Sequence, residues 1–426
     1  MSIFTADAAR QLPGPDWLRA RRTAAAEQFE SAGLPSPDEE IWRYSRVAEL
    51  DLDDYELAPT AAAGPPPVPP AVVRLLDEHP DRSATIVSVD GVLAAAEIAP
   101  RHAATNLVAG RLADDPDGTT ALGSALEKPT DVFAVMNLAF STEPLLVRVP
   151  EGVVLDGPVV VVHWFTGEGR AVFPRLVVEA GPNSEARILD VYGSDDAADL
   201  VVPVTELTLR RAARLGYVNV QQLGLRNWQI ASTVSVVEAD ADLESTCAGL
   251  GGEYARQRTD CHLEGRGGTG NLRAVYFGEG AQTLDFRTFQ DHAAPDTTSD
   301  LLFKGALGGS SRSVYSGLIR VEKNARGTNA YQTNRNIKLS DEAWAESVPN
   351  LEILNNDVRC SHASAVGPVD EEQRFYLESR GVPRPVAERL IVTGFFDEVL
   401  SELPVTAAIA PLRAAVADKL DRRHVE

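Results

Sequence analysis

From Leu145 to about Val366 the sequence repeats one device. LLVRVPEGVVLDGPVVVVHWF, PRLVVEAGPNSEARILDVYG, TELTLRRAARLGYVNVQQLG and WQIASTVSVVEADADLESTCAGLGG are all short runs of Val, Leu, Ile and Thr alternating with polar residues. Gly, Asn or Asp interrupts them about every eight to twelve residues, which is the signature of strands joined by turns. No repeated helix and no phosphate-binding glycine loop intervenes, so a doubly wound α/β sheet is excluded. A sandwich, a barrel and a stacked solenoid remain. An immunoglobulin-type sandwich is complete in about 100 residues, whereas a solenoid adds rungs for as long as each can bury its inner face on the next. The length of the run therefore predicts a solenoid, although no constant repeat length is visible.

The flanks read as helical. In residues 1–58, DWLRARRTAAAEQFESAG sets Trp17, Ala20, Ala24, Ala25 and Phe29 near one face, and Gly33 with Pro35 stops the run. DEEIWRYSRVAEL continues the helical unit, with Asp38 as its cap. Residues 59–70, PTAAAGPPPVPP, form a stiff extended linker. Residues 71–144 are mixed, with a helix at Ala134–Phe140. The β core spans 145–366, and a helical domain spans 367–426. In that domain Asp370 caps one helix and Gly381 ends it. A second carries Val386, Leu390, Ile391, Phe395 and Val399, and a third Val405, Ile409, Leu412, Val416 and Leu420, at helical spacing.

Forty Lys and Arg oppose 62 Asp and Glu, for a net charge of −22. Such a chain is repelled by phosphate backbones and anionic bilayers, which argues against nucleic-acid and membrane partners. Three widely spaced cysteines, Cys247, Cys261 and Cys360, indicate reduced thiols rather than a disulfide framework. No signal-peptide pattern opens the chain and no apolar run is long enough to span a bilayer, so a cytoplasmic location is expected.

The chemistry concentrates in NNDVRCSHASAV. On a strand, residues i and i+2 share a face about 6–7 Å apart, so Cys360 and His362 aim at one point while Ser361 turns away. Thiolate and imidazole suit iron–sulfur chemistry or zinc, but two ligands leave a metal site incomplete. Cys261 and His262, as strand neighbours, face opposite ways and make a poor chelate. A packing role for the Cys-x-His pair is the plain alternative. Asp285, Asp291, Asp296 and Asp300 raise a polysaccharide-active solenoid enzyme with paired acids, against which stands a simple solvated acidic face. GALGGSSRSVYSG and GEGAQTLDF lack the Gly-Lys-Ser/Thr ending of a P-loop.

LEILNNDVRCSHASAVGPVDEEQRFYLESRGVPRPVAERLIVTGFF resembles the C-terminal signature of the SufB/SufD family of iron–sulfur cluster assembly scaffolds. The matching elements, in order, are Asp357, Cys360-Ser361-His362, Val366-Gly367, Asp370-Glu371-Glu372, Phe375-Tyr376-Leu377, Ser379-Arg380-Gly381 and Gly394-Phe395. GLPSPDEEIWRYSRVAEL resembles the opening of SufD chains; a SufB-type subunit is the nearest alternative. Where many members have Gly-Ala-Thr, this chain has Ala363-Ser364-Ala365. The resemblance implies a right-handed parallel β-helix between helical domains, and a non-catalytic scaffold that pairs with SufB and with the separate ATPase SufC. It implies a transient Fe–S cluster built at the SufB–SufD interface, with His362 and Cys360 as the site residues. It also implies ATPase docking on the C-terminal helices, which places Phe375, Tyr376, Arg380, Leu390, Gly394 and Phe395 on the docking face. A homodimer through the β edge is open to the isolated chain.

Overall fold

The computed structural model describes residues 3–58 and 64–423. Among the described residues, eight α-helices flank or cover two sheets. They are α1 (Ala6–Gln11), α2 (Asp16–Ala32), α3 (Pro70–Asp77), α4 (Gly118–Ala121), α5 (Val132–Phe140), α6 (Glu371–Ser379), α7 (Arg384–Leu400) and α8 (Ile409–Arg423). The first part of the expected linker, 59–63, lies outside the described residues. Its last proline opens a helix: Pro70 is the first residue of α3, where a missing N–H costs nothing.

Successive strands alternate between the two sheets, so each turn of the chain adds one strand to each, and about eight turns stack in parallel. Thus Arg214–Gln222 pairs with Asp242–Gly249 in one sheet, while Trp228–Val237 pairs with Tyr254–Leu263 in the other. This is the expected parallel β-solenoid. It begins before Leu145, because Ala84–Val89 already lies in register beside Val159–Phe165. The hidden period has a simple cause. Trp228 pairs with Tyr254, 26 positions on, but Arg312 pairs with Trp344, 32 positions on. The strands keep their length and the corners absorb the difference.

The space between the sheets is filled by residues of one parity, among them Leu207, Leu243, Leu263, Leu284, Phe286, Leu301, Phe303 and Tyr315. Each outer face is covered by helices. α2 and α5 bury Phe29, Phe133 and Phe140 against Tyr254 of one sheet and against Phe173 and Val202 beside its strands. α7 and α8 bury Val392, Phe396, Leu412 and Val416 against Val218, Val275, Phe277 and Ala306 of the other. Both sheets therefore lose water on two sides, as Val- and Leu-rich parallel sheets require.

Three helical expectations change in detail. α2 spans the expected residues, but buries Leu18, Arg22, Ala25, Ala26 and Phe29, leaving Ala20 and Ala24 exposed. Arg22 takes the buried position because its guanidinium donates to the Pro13 and Thr142 carbonyls; burial lowers its pKa to about 10. The segment after Asp38 is not an α-helix but two 3₁₀ turns, Glu40–Trp42 and Val47–Glu49, without a capping side chain. α7 buries Ala387, Glu388, Val392, Phe396, Val399 and Leu400, while Val386 and Leu390 face outward. The helix is apolar on two sides and only one packs on the solenoid. The helix at Ala134–Phe140 and the Asp370 cap are as expected, with Asp370 accepting from the Glu372 and Gln373 N–H groups. The third C-terminal helix forms from Ile409 on, Val405 standing before it at a 3₁₀ turn, Thr406–Ala408.

Candidate functional site at the open end

The two ends of the solenoid differ. At the first end both sheets finish in antiparallel strands, Val92–Ile98 and Val108–Arg111. At the other end they finish in the long strands Trp344–Ile353 and Val358–Pro368, each with a neighbour on one side only. An unpaired edge of this length is a template for another strand. Exposed Tyr331, Trp344, Ile353, Leu354 and Val366 surround it.

Val358–Pro368 carries the Cys-x-His pair. It follows a turn in which Asn355 Oδ1 accepts from the Asp357 N–H at 2.8 Å and Asn355 Nδ2 donates to the Lys323 carbonyl at 2.6 Å. Cys360 lies in register with Ala330, and His362 with Gln332, so the two share the face that looks into the solenoid. Cys360 is half-buried against a small cluster of Ile319, Val321, Ala325 and Ala330. Burial pushes its thiol pKa up, offset in part by a hydrogen bond with the Ala330 backbone. His362 is exposed at the rim.

The next rung inward is polar. Gln332 Nε2 donates to Tyr315 Oη at 2.7 Å, and Tyr315 Oη lies 3.0 Å from Thr288 Oγ1. A Cβ on Gly317 would fall 2.0 Å from Gln332 Nε2 and 2.4 Å from Tyr315 Oη, so glycine keeps this bond possible. Sequence reasoning missed these residues, because no motif marks them and the pairing register that puts them under His362 is not written in the chain. Among the described residues no three of His, Cys, Asp and Glu converge on a metal-sized site. Cys247 and Cys261 are interior, their thiols pushed up by burial to about 12 and about 11. Cys261 faces the core while His262 faces out toward Asp291, 3.5 Å away, as the strand geometry predicts.

The residues expected to dock an ATPase lie on α6 and α7, with Arg380 just past the end of α6. Tyr376, Leu390, Gly394 and Phe395 line a groove of about 830 Å³ together with Lys304 and Glu398. Phe375 stands outside that groove and is 72% exposed; Arg380, also outside it, stacks over the Tyr376 ring at 5.0 Å. Beneath the groove the buried Lys304 ammonium donates to the Phe395 carbonyl at 2.9 Å and pairs with Glu398. Of the acids considered for hydrolysis, Asp291 lies beside His262 and Asp296 pairs with Arg266. Asp285 is fully buried between Arg256 and Arg287, which corrects the expectation of a solvated acidic face at that position.

The class of structure is thus a parallel solenoid with helices folded back on it, ending in an unfinished rung that presents a thiol and an imidazole. Residues 163–395 match the family model described as the SUF system FeS cluster assembly, SufBD core domain. An iron–sulfur cluster assembly SufBD family protein of Mycobacterium tuberculosis is 34% identical over 302 residues, 69% of this chain and 75% of that one. One of Staphylococcus saprophyticus is 24% identical over 416 residues, 93% and 88% of the two chains. The Arabidopsis thaliana protein ABCI7, chloroplastic, is 26% identical over 404 residues, 91% and 83%. The chain belongs to the SufBD family of iron–sulfur cluster assembly proteins. No helix among the described residues is long and apolar enough to cross a membrane.

Proposed function

We propose that this chain is the SufD-type scaffold subunit of a cytoplasmic Suf complex. Its open end pairs with a SufB-type chain, and its α6–α7 face binds one subunit of the ATPase SufC. The observation that carries this reading is the terminal strand Val358–Pro368, unpaired along one edge and bearing Cys360 and His362 on the inward face. Two ligands from this chain, with the rest from the partner and from sulfide, suit a cluster that is built and then handed on rather than kept. Iron and sulfide are here cargo, with neutral imidazole and thiolate as donors. His362 is the more accessible of the two, and Cys360 ionises as iron approaches.

The test is anaerobic co-expression with the SufB and SufC partners, followed by iron and acid-labile sulfide analysis. His362→Ala should leave the three-chain complex intact and remove most of the cluster. Equal iron in variant and wild type would reduce the Cys-x-His pair to packing. The docking face has its own test. Leu390 is 52% exposed, so Leu390→Asp should spare the fold yet weaken SufC capture by at least about tenfold, the cost of placing a charge in an apolar contact. Unchanged capture would move the docking face elsewhere.

A further inference from the structure

One acceptor next to His362 is unused. Gln332 is 1% exposed and its Nε2 is committed to Tyr315, but its Oε1 has no hydrogen-bond partner. A buried amide oxygen left without a donor costs about 1–3 kcal/mol, so such atoms need an explanation. Ser347 Oγ, in register with Tyr315 on the facing terminal strand, is likewise buried and unpartnered. Both lie at the open end, on inward faces. The only side chain with a nitrogen donor in register with Gln332 on the terminal strand is His362. Neighbouring parallel strands are about 4.8 Å apart, within reach of an imidazole N–H turned toward an amide oxygen one strand below.

We infer that Gln332 is a positioning residue that accepts a hydrogen bond from one ring N–H of His362. This fixes the tautomer and leaves the other nitrogen's lone pair facing out of the solenoid. The amide cannot swing away to find water, because Tyr315, itself bonded to Thr288, holds its nitrogen end and Gly317 shapes the space around it. A metal-binding histidine is ordinarily oriented by such a second partner, and loss of that partner costs about 10–100-fold in affinity. The inference rests on the proposed role of His362 toward iron, but the proposed contact needs no metal to form and can be tested in the metal-free chain.

The experiment is therefore spectroscopic first. The full chain, free of metal and labelled with ¹⁵N-histidine, is studied at a pH where imidazole is neutral, with His362→Ala assigning the signal. Wild type should show one tautomer, Gln332→Leu a mixture of both, and Gln332→Glu, which keeps an acceptor oxygen, one tautomer again. A mixed tautomer in wild type, or a single one that survives Gln332→Leu, overturns the inference. The wild-type spectrum decides alone if the leucine variant does not fold. Iron content of the three-chain complex separates the two readings. Should the tautomer follow Gln332 while iron ignores both Gln332→Leu and His362→Ala, the contact stands and the cluster site fails. Iron lost in His362→Ala, with a tautomer indifferent to Gln332, sinks the positioning role and keeps the cluster site.

Discussion

Asp285→Ala is expected to destabilise the protein by about 3–5 kcal/mol, the usual cost of removing one partner from a buried ion pair. Asp285 Oδ2 accepts from Arg256 Nη1 at 2.7 Å and Tyr254 Oη at 3.0 Å, and Oδ1 accepts from Arg287 Nε at 2.6 Å. Alanine would leave two buried guanidinium groups without a counter-charge. The same guanidiniums hold the N-terminal 3₁₀ segment: Arg256 Nη2 donates to the Ile41 carbonyl at 2.8 Å, and Arg287 Nη2 to the Arg43 carbonyl at 2.7 Å. Arg256 also lies 4.0 Å over the buried Trp42 ring. The variant should therefore be cut by proteases around residues 40–50 before the solenoid unfolds. Burial by itself would raise the Asp285 pKa, but the two arginines more than offset it and hold the carboxyl below 3.8. Its stabilisation is complete above the unfolded-state value and disappears as pH falls through the lower folded value. Urea unfolding near neutral pH that shifts by less than about 1 kcal/mol would refute the clamp.

The opposite sign is expected at Asp190. This carboxyl is fully buried, with Tyr217 Oη donating to Oδ2 at 2.6 Å and His163 Nε2 at 3.5 Å from Oδ1. Burial raises its pKa from 3.8 to about 7, and lowers that of His163 to about 3. Both groups are uncharged in mildly acidic solution. With His163 Nδ1 bonded to Ser88 Oγ at 2.7 Å, a protonated Oδ1 can donate to the lone pair on Nε2. Since the folded pKa of Asp190 exceeds the unfolded one, its own contribution to stability declines as pH rises from about 4 to about 7 and is level above. The lowered value of His163 gives a contribution of opposite slope that wild type and an Asp190 variant share. Asp190→Asn imitates the protonated acid and should gain on the order of 4 kcal/mol at about pH 8, with the gain vanishing near pH 4. A destabilised variant at both pH values would show that the carboxylate is ionised and paired in the native state.

Much of this fold is legible from the alternation of apolar and polar residues, because a period of two survives in every rung. The stacking repeat is not, since corners of unequal length shift the register from 26 to 32 positions. Helix faces were misjudged where a polar side chain is buried or an apolar one exposed. Arg22 is inside because carbonyls receive it, and Leu390 is outside because α7 carries a second apolar side. Trp42 is buried without an α-helix around it, under an arginine 214 positions away. At the site, Cys360 and His362 were readable from i, i+2 spacing within one strand. Gln332 was not, for its relation to His362 exists only across two rungs.

The unequal ends of the solenoid also limit how far it can grow. The first end finishes in Val92–Ile98, paired through a bulge, and in the four-residue strand Val108–Arg111, both running against the rest. These are short or irregular edges that resist extension. Only the far end offers long strands. If two such ends joined edge to edge, as the proposed pairing would have it, both open ends would be consumed and two blunt ones presented, so such assembly would stop at a pair. A stack of rungs that could in principle elongate into a fibre would thereby be made to count to two.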